Sequence, residues 1–126
     1  MAATKPSWRI TIVTVLLALV FLAAGGSKLA APRTHFEHFA HWGYPSGFVY
    51  VIGLVEAGGA VLILISAARF YGAALLACNM LGAIFTHIRV GEFTRLPLPI
   101  VLLVLAGLVA WFSRPSRPGP GAARSG

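Results

Sequence analysis

Residues 48–66, FVYVIGLVEAGGAVLILIS, form an apolar stretch with one charged residue, Glu56, near its middle. At 1.5 Å per residue, a helix of this length covers about 28 Å, close to the ~30 Å hydrocarbon core of a bilayer. Strands are excluded because the apolar residues do not alternate with polar ones, as they do in membrane barrels. The stretch therefore predicts a membrane-spanning helix.

Three further apolar runs share this character. The chain has 126 residues, of which 58% are hydrophobic and 10% charged, so a water-soluble domain of this size is excluded. Prolines stand at the predicted helix ends, where a missing N–H does least harm. The prediction is an all-α membrane protein, a bundle of four transmembrane helices in one domain, with helices at about 10–31, 48–66, 70–88 and 96–112.

The first run has an alternative interpretation as a secretory signal peptide. Lys5 and Arg9 precede its apolar core, and small residues follow at Ala23–Gly26. Such a pattern is typical of cleaved leaders as well as of spanning helices. Both interpretations stay open at the level of the sequence.

The net charge of +7 indicates topology rather than a nucleic-acid partner, because the basic residues stand singly beside apolar runs. Four spans would place Lys5, Arg9, Arg69, Arg114, Arg117 and Arg124 on one side, and Lys28, Arg33, Arg89 and Arg95 on the other. The positive-inside rule then predicts a multi-pass protein of the inner (plasma) membrane with cytoplasmic termini, namely residues 1–9 and a disordered tail over residues 113–126.

Polar residues inside the spans mark the candidate site. An ionisable group at the bilayer centre costs at least about 2.5–3.5 kcal/mol unless it faces protein or water, so Glu56 is expected to point inward. Lys28 lies about a turn inside the end of the first helix, roughly 7–8 Å from Glu56 along the membrane normal. Asn79 is expected at the depth of Glu56, and His87 at the end of the third helix. We expect these four residues to form either a polar clasp that fixes helix register, or a pocket for a quinone-like ligand, a lipid or protons.

Small residues flank Glu56 and also occur on the third helix. Gly53, Ala57 and Ala60 lie on the face of Glu56, and the third helix carries Ala73, Ala77 and Ala83. Small side chains let two helices approach closely. The pattern predicts close contact between the second and third spans along these faces.

The first loop combines histidines with aromatic residues. On a helix, His35, His38 and His41 share a broad face, and the aromatic residues, including Trp42, fall on another, with Tyr44 just beyond. This favours a short interfacial helix with its aromatic side toward the membrane. Zinc or copper ligation is the alternative, but the ligand spacing matches no known metal site, so no metal is expected.

No catalytic motif is present in the sequence. There is no nucleophile with a paired base and no phosphate-binding loop, so catalysis by this chain alone is not expected. The single cysteine, Cys78, lies in an apolar run and is interpreted as a small packed side chain.

Four segments together resemble the DoxX-like family of small bacterial four-helix membrane proteins. They are Ala24–Leu29 (AGGSKL), Trp42–Pro45 (WGYP), Gly53–Ala60 (GLVEAGGA), and Asn79–Ala83 (NMLGA) with His87. The resemblance runs from about Phe21 to Ile88.

The resemblance implies an accessory role. The family takes its name from a membrane subunit of a thiosulfate to quinone oxidoreductase, so it implies a non-catalytic subunit of a redox or quinone-associated complex, with membrane oxidoreductase subunits as partners and Lys28 and Glu56 at the family's polar positions. The alternative function is a small transporter or proton-coupled carrier, which would need a homo-oligomer because four spans are few for a transport path.

Overall fold

The computed structural model describes residues 8–115, which form five α-helices and a short 3-10 turn without any strand. The helices are α1 (Trp8–Ala30), α2 (Arg33–His41), α3 (Phe48–Leu64), α4 (Arg69–Val90) and α5 (Pro97–Ser113), and the 3-10 turn is Phe93–Arg95. The all-α prediction is confirmed, and the predicted helix ends agree to within about two residues. Ser113, the first residue of the predicted tail, closes α5, and residues 1–7 and 116–126 lie outside the described part.

Three helical stretches are long and apolar enough to cross a membrane: Trp8–Ala30, Arg69–Val90 and Phe93–Ser113. Helix α3 is apolar but has 17 residues, about 26 Å at 1.5 Å per residue. That α3 is the fourth membrane span therefore stays a prediction, and so does the orientation of the termini.

The helices α1, α3, α4 and α5 pack around one core. Helix α3 contacts both α1 and α4, α4 also contacts α5, and the contact between α1 and α5 is slight. The core contains apolar residues from all four helices: Leu17, Ala18, Phe21, Ala60, Ile63, Ala73, Leu76, Met80, Leu102, Ala106 and Val109. Because α1 contributes several of these side chains, it is an integral part of the bundle.

The outer surface of the bundle is apolar. Leu54, Leu98 and Phe112 are 63%, 65% and 68% exposed, values that would be costly in water. Exposed Trp8 and Trp111 lie at the end of the bundle that holds the start of α1 and the end of α5, each under an arginine side chain. Aromatic residues in this position are typical of the membrane interface.

Candidate functional site

Helices α1 and α3 meet through glycine. A Cβ added at Gly25 would lie 2.5 Å from the backbone nitrogen of Ala57 and 2.7 Å from the backbone oxygen of Gly53. No side chain fits there, so the two backbones touch at this point. The small-residue face around Glu56 therefore packs on α1 at Gly53 and Ala57. The expected close approach of the second and third spans is also present, but it lies at Gly59 and Gly72.

One carboxylate organises the polar centre of the bundle. Lys28 Nζ donates to Glu56 Oε1 at 2.7 Å, and Asn79 Nδ2 donates to Glu56 Oε2 at 3.1 Å. The side chains of Lys28 and Glu56 are only 14% and 6% exposed, so the pair is largely removed from solvent. Opposite charges at this distance neutralise each other, which lowers the cost of burying either one. The contact expected from the axial spacing of Lys28 and Glu56 is present.

A cavity of about 820 Å³ borders this polar centre. Its wall is mostly apolar and includes side chains from α1, α3, α4 and α5. Lys28, Glu56, Asn79 and His87 all line it, so the structure brings the four predicted site residues to one cavity. The volume falls in the range of about 300–1,000 Å³ that is usual for small-molecule sites.

His87 does not bind Glu56. Its Nδ1 lies 3.0 Å from Glu92 Oε1, and Trp42 Nε1 donates to the same oxygen at 2.8 Å. His87 therefore lines the cavity with the other three residues but does not join the Lys28–Glu56 pair. The reason lies in the turn after α4: Gly91 has a φ of +79°, which glycine adopts without strain, and this turn folds Glu92 back toward His87.

Aromatic residues close the loop end of the cavity. The Trp42 ring packs against Phe39 and His87, with ring centroids 5.1 and 5.4 Å apart, and Arg89 donates to the Trp42 carbonyl. Tyr44 makes a hydrogen bond with Thr86 at 2.7 Å. The aromatic side of α2 thus packs onto the bundle, where Phe39 is buried, and the interfacial position of α2 stays a prediction.

The three loop histidines do not converge. His35 Nε2 lies 2.9 Å from Ser27 Oγ, His38 Nε2 accepts from Arg95 at 3.3 Å, and His41 Nε2 lies 3.8 Å from Glu92 Oε2. Burial lowers the pKa of His35, and the charge of Lys28 lowers it further. Over residues 8–115, no three His, Cys, Asp or Glu side chains are grouped for a metal ion. Absence of a metal stays a prediction.

A family model described as the DoxX-like family matches residues 12–109, which is most of the chain. The chain belongs to the DoxX-like family. The resemblance seen in the four sequence segments is thereby confirmed, and it extends into the fourth predicted span. Comparisons with curated proteins and with solved structures gave no match.

Every segment that carried the DoxX-like resemblance reaches the cavity. The AGGSKL segment contributes Lys28, the WGYP segment contributes Trp42 and Tyr44, the segment around Glu56 contributes that carboxylate, and NMLGA contributes Asn79. The family motifs, dispersed along the sequence, therefore surround one space.

Some residues around the cavity were not identified from the sequence. Glu92 and Arg95 lie in a short loop with no periodic pattern, and the only signal was Gly91 directly before Glu92. The interpretation of Cys78 as a packed side chain is wrong, because Cys78 is exposed and lines the cavity. Thr86 lies near the end of α4 in no recognisable motif, yet it is buried and bonded to Tyr44.

The Glu92 contacts make stability depend on pH. Burial alone would raise the pKa of Glu92, but hydrogen bonds from Trp42 and His87 and the charge of Arg95 lower it below its ordinary value. A carboxylate with a lowered folded-state pKa stabilises the fold above its unfolded-state pKa of about 4.5, and this stabilisation is lost as the pH falls through the folded-state value. We expect Glu92→Gln to melt a few degrees below the wild type at pH 7, with the difference shrinking below about pH 4.5.

Thermal melting of the purified protein in detergent between pH 7 and pH 3.5 measures this difference. Glu37→Gln, which changes an exposed carboxylate of α2, is the matched control and should follow the wild type at every pH. A constant difference between Glu92→Gln and the wild type over the whole range would contradict the assignment.

Proposed function

We propose that this DoxX-like protein is a non-catalytic subunit of a membrane redox complex, and that its cavity binds a quinone or a similar amphipathic membrane molecule. The observation that carries the proposal is the combination of an apolar cavity of about 820 Å³ with a polar end formed by Lys28, Glu56 and Asn79. Ligand sites in proteins are commonly apolar with a few convergent polar groups.

The charge arrangement supports ligand binding over a purely structural clasp. A clasp needs only the Lys28–Glu56 contact, which could be enclosed by packed side chains. Here Lys28, Glu56 and Asn79 all border the cavity, next to His87 and Thr86. In this proposal a partner subunit carries out electron transfer, and this chain binds and retains the ligand.

Two glycines provide a matched test. Gly82 lines the cavity and Gly107 lies outside it on α5, and a Cβ at either position meets nothing within 4 Å. Both are exposed helix residues, so leucine fits at both without a backbone clash. Leucine at position 82 would add its side chain to the cavity wall, whereas leucine at position 107 would only add to the outer surface.

We expect the wild type and Gly107→Leu, purified in mild detergent, to retain one quinone or related amphiphile per chain, and Gly82→Leu to retain at least about 5-fold less. Mass spectrometry of the organic extract measures retention, and native mass spectrometry reports any oxidoreductase subunit or second copy that remains bound. Equal retention by the two leucine variants, with unchanged melting temperatures, would rule out the cavity as the ligand site.

A further inference from the structure

The polar end of the cavity has no net charge. Lys28 and Glu56 form a pair at 2.7 Å, and the third member, Asn79, is an amide. Arg95 is the nearest further cation that lines the cavity, and it lies at the exposed loop end beside His38. A charged headgroup placed against the pair would lack a counter-charge in surroundings of low dielectric constant, which is costly. An uncharged headgroup avoids this cost.

The hydrogen-bonding groups at this end match a hydroxyl. An ammonium group has three N–H donors, and Glu56 is the single hydrogen-bond partner of Lys28 found over residues 8–115. Asn79 uses its Nδ2 on Glu56, and over the same residues its Oδ1 accepts no hydrogen bond. No buried side-chain polar atom in this part of the chain lacks a partner, so Asn79 Oδ1 is accessible.

Lys28 and Asn79 each donate to one oxygen of the same carboxylate, and both line the cavity. A hydroxyl oxygen can accept from Lys28 Nζ while its hydrogen is donated to Asn79 Oδ1. A ketone, such as the carbonyl of an oxidised quinone, could use only the first of these groups, whereas the hydroxyl of the reduced form could use both.

The cavity also reaches the outer surface of the bundle. Between α3 and α4 it is lined by Phe48, Ile52, Val55, Leu75, Cys78 and Gly82. Leu75, Cys78 and Gly82 are exposed and lie in the middle of α4, at a depth where the surroundings are hydrocarbon. An apolar chain can lie along these residues and leave the cavity directly into the bilayer. We call these six residues the α3–α4 groove.

We propose, resting on the proposed function, that the ligand is an uncharged membrane amphiphile with a hydroxyl headgroup and one long apolar chain. The hydroxyl binds between Lys28 and Asn79, and the chain lies in the α3–α4 groove. The ligand enters sideways from the bilayer. Anionic lipids are excluded from this end of the cavity by the neutralised Lys28–Glu56 pair.

Two probes with the same diazirine-bearing hexadecyl chain test the charge preference. One ends in a hydroxyl and the other in a sulfonate, which stays ionised in the membrane. The full-length protein is reconstituted in phosphatidylcholine nanodiscs, irradiated with each probe, and digested. We expect at least about 5-fold more adduct on α4 from the alcohol than from the sulfonate. Equal or greater labelling by the sulfonate would overturn the proposal.

Two variants locate the headgroup. Glu56→Gln leaves Lys28 without its counter-charge. Labelling of α4 by the sulfonate probe should therefore rise until it equals or exceeds labelling by the alcohol probe. Asn79→Leu removes the hydroxyl's acceptor and should lower alcohol labelling severalfold. If Arg95→Gln instead abolishes labelling by the alcohol probe, the headgroup lies at the loop end and the assignment is overturned.

A built-in reporter covers the case in which a variant folds poorly. Cys78 is the only cysteine in the chain and lies in the α3–α4 groove. In the wild type, the alcohol probe should slow the reaction of Cys78 with a membrane-permeant maleimide severalfold, and the sulfonate should not. Gly82→Leu separates this proposal from the broader one. If the two probes label the wild type equally and Gly82→Leu blocks both, the cavity stands as a ligand site and the hydroxyl assignment fails.

Discussion

Removing either charge of the Lys28–Glu56 pair is expected to destabilise the protein by about 3–5 kcal/mol, because the remaining charge stays in the bundle without its partner. We choose Lys28→Met and Glu56→Gln, which keep most of the side-chain volume. The double variant leaves no uncompensated charge, so it should be less destabilised than the sum of the single variants by about 1–3 kcal/mol. Unfolding by sodium dodecyl sulfate in mixed micelles gives the three free energies.

We expect this non-additivity because Lys28 and Glu56 are in direct contact, 2.7 Å apart. Met and Gln both lack a charge, and neither introduces a new ion pair. A matched cycle on Arg33 and Glu37, two charged residues of α2 that lie outside the cavity, serves as the control and should show no more than a few tenths of a kcal/mol of coupling. Strictly additive effects of Lys28→Met and Glu56→Gln would show that the two side chains do not interact.

The second large effect is expected from a single methyl group at Gly25. The Cβ of Gly25→Ala would lie 2.5 Å from the Ala57 nitrogen and 2.7 Å from the Gly53 oxygen. Both are backbone atoms and cannot move aside by a rotamer change, so α1 and α3 must separate. Overpacking typically costs about 1–3 kcal/mol, and a clash against backbone should place this variant at the upper end.

The neighbouring Gly26 is the control, because a Cβ added there meets nothing within 4 Å. Gly26→Ala should be neutral or stabilise the protein by up to about 1 kcal/mol, since alanine favours a helix interior over glycine. Separation of α1 from α3 also moves Lys28 away from Glu56, so Gly25→Ala should weaken the coupling measured in the charge cycle. Equal melting temperatures for Gly25→Ala and Gly26→Ala would contradict the observed backbone contact.

The helices and the central ion pair could be predicted from the sequence for a physical reason. Lipid tolerates neither unpaired backbone groups nor unpaired charges, so long apolar runs must be helices and Glu56 must find a partner. Lys28 was the basic residue within axial reach. These constraints concern the depth of a residue in the membrane, and that depth follows directly from its position along a spanning helix.

Rotation about the helix axis is harder to derive. Small residues at spacings of three and four show that some helix approaches closely, but they do not show which one: Gly53 contacts α1, whereas Gly59 contacts α4. Helix α4 has small or apolar residues on most of its surface, which hid the outward position of Cys78. The contact between Glu92 and His87 depends on the positive φ of Gly91, and no hydropathy pattern reports a backbone turn.

The close spacing of the two buried charges also limits how strongly this pair responds to a membrane voltage. A transmembrane potential does work of about 2.3 kcal/mol on one elementary charge for each 100 mV crossed. Lys28 and Glu56 lie 2.7 Å apart and carry opposite charges, so displacing them together across the field requires almost no net electrical work. The membrane potential therefore has almost no net effect on the Lys28–Glu56 pair. An uncharged molecule bound beside it would have the same affinity in an energised membrane as in a depolarised one.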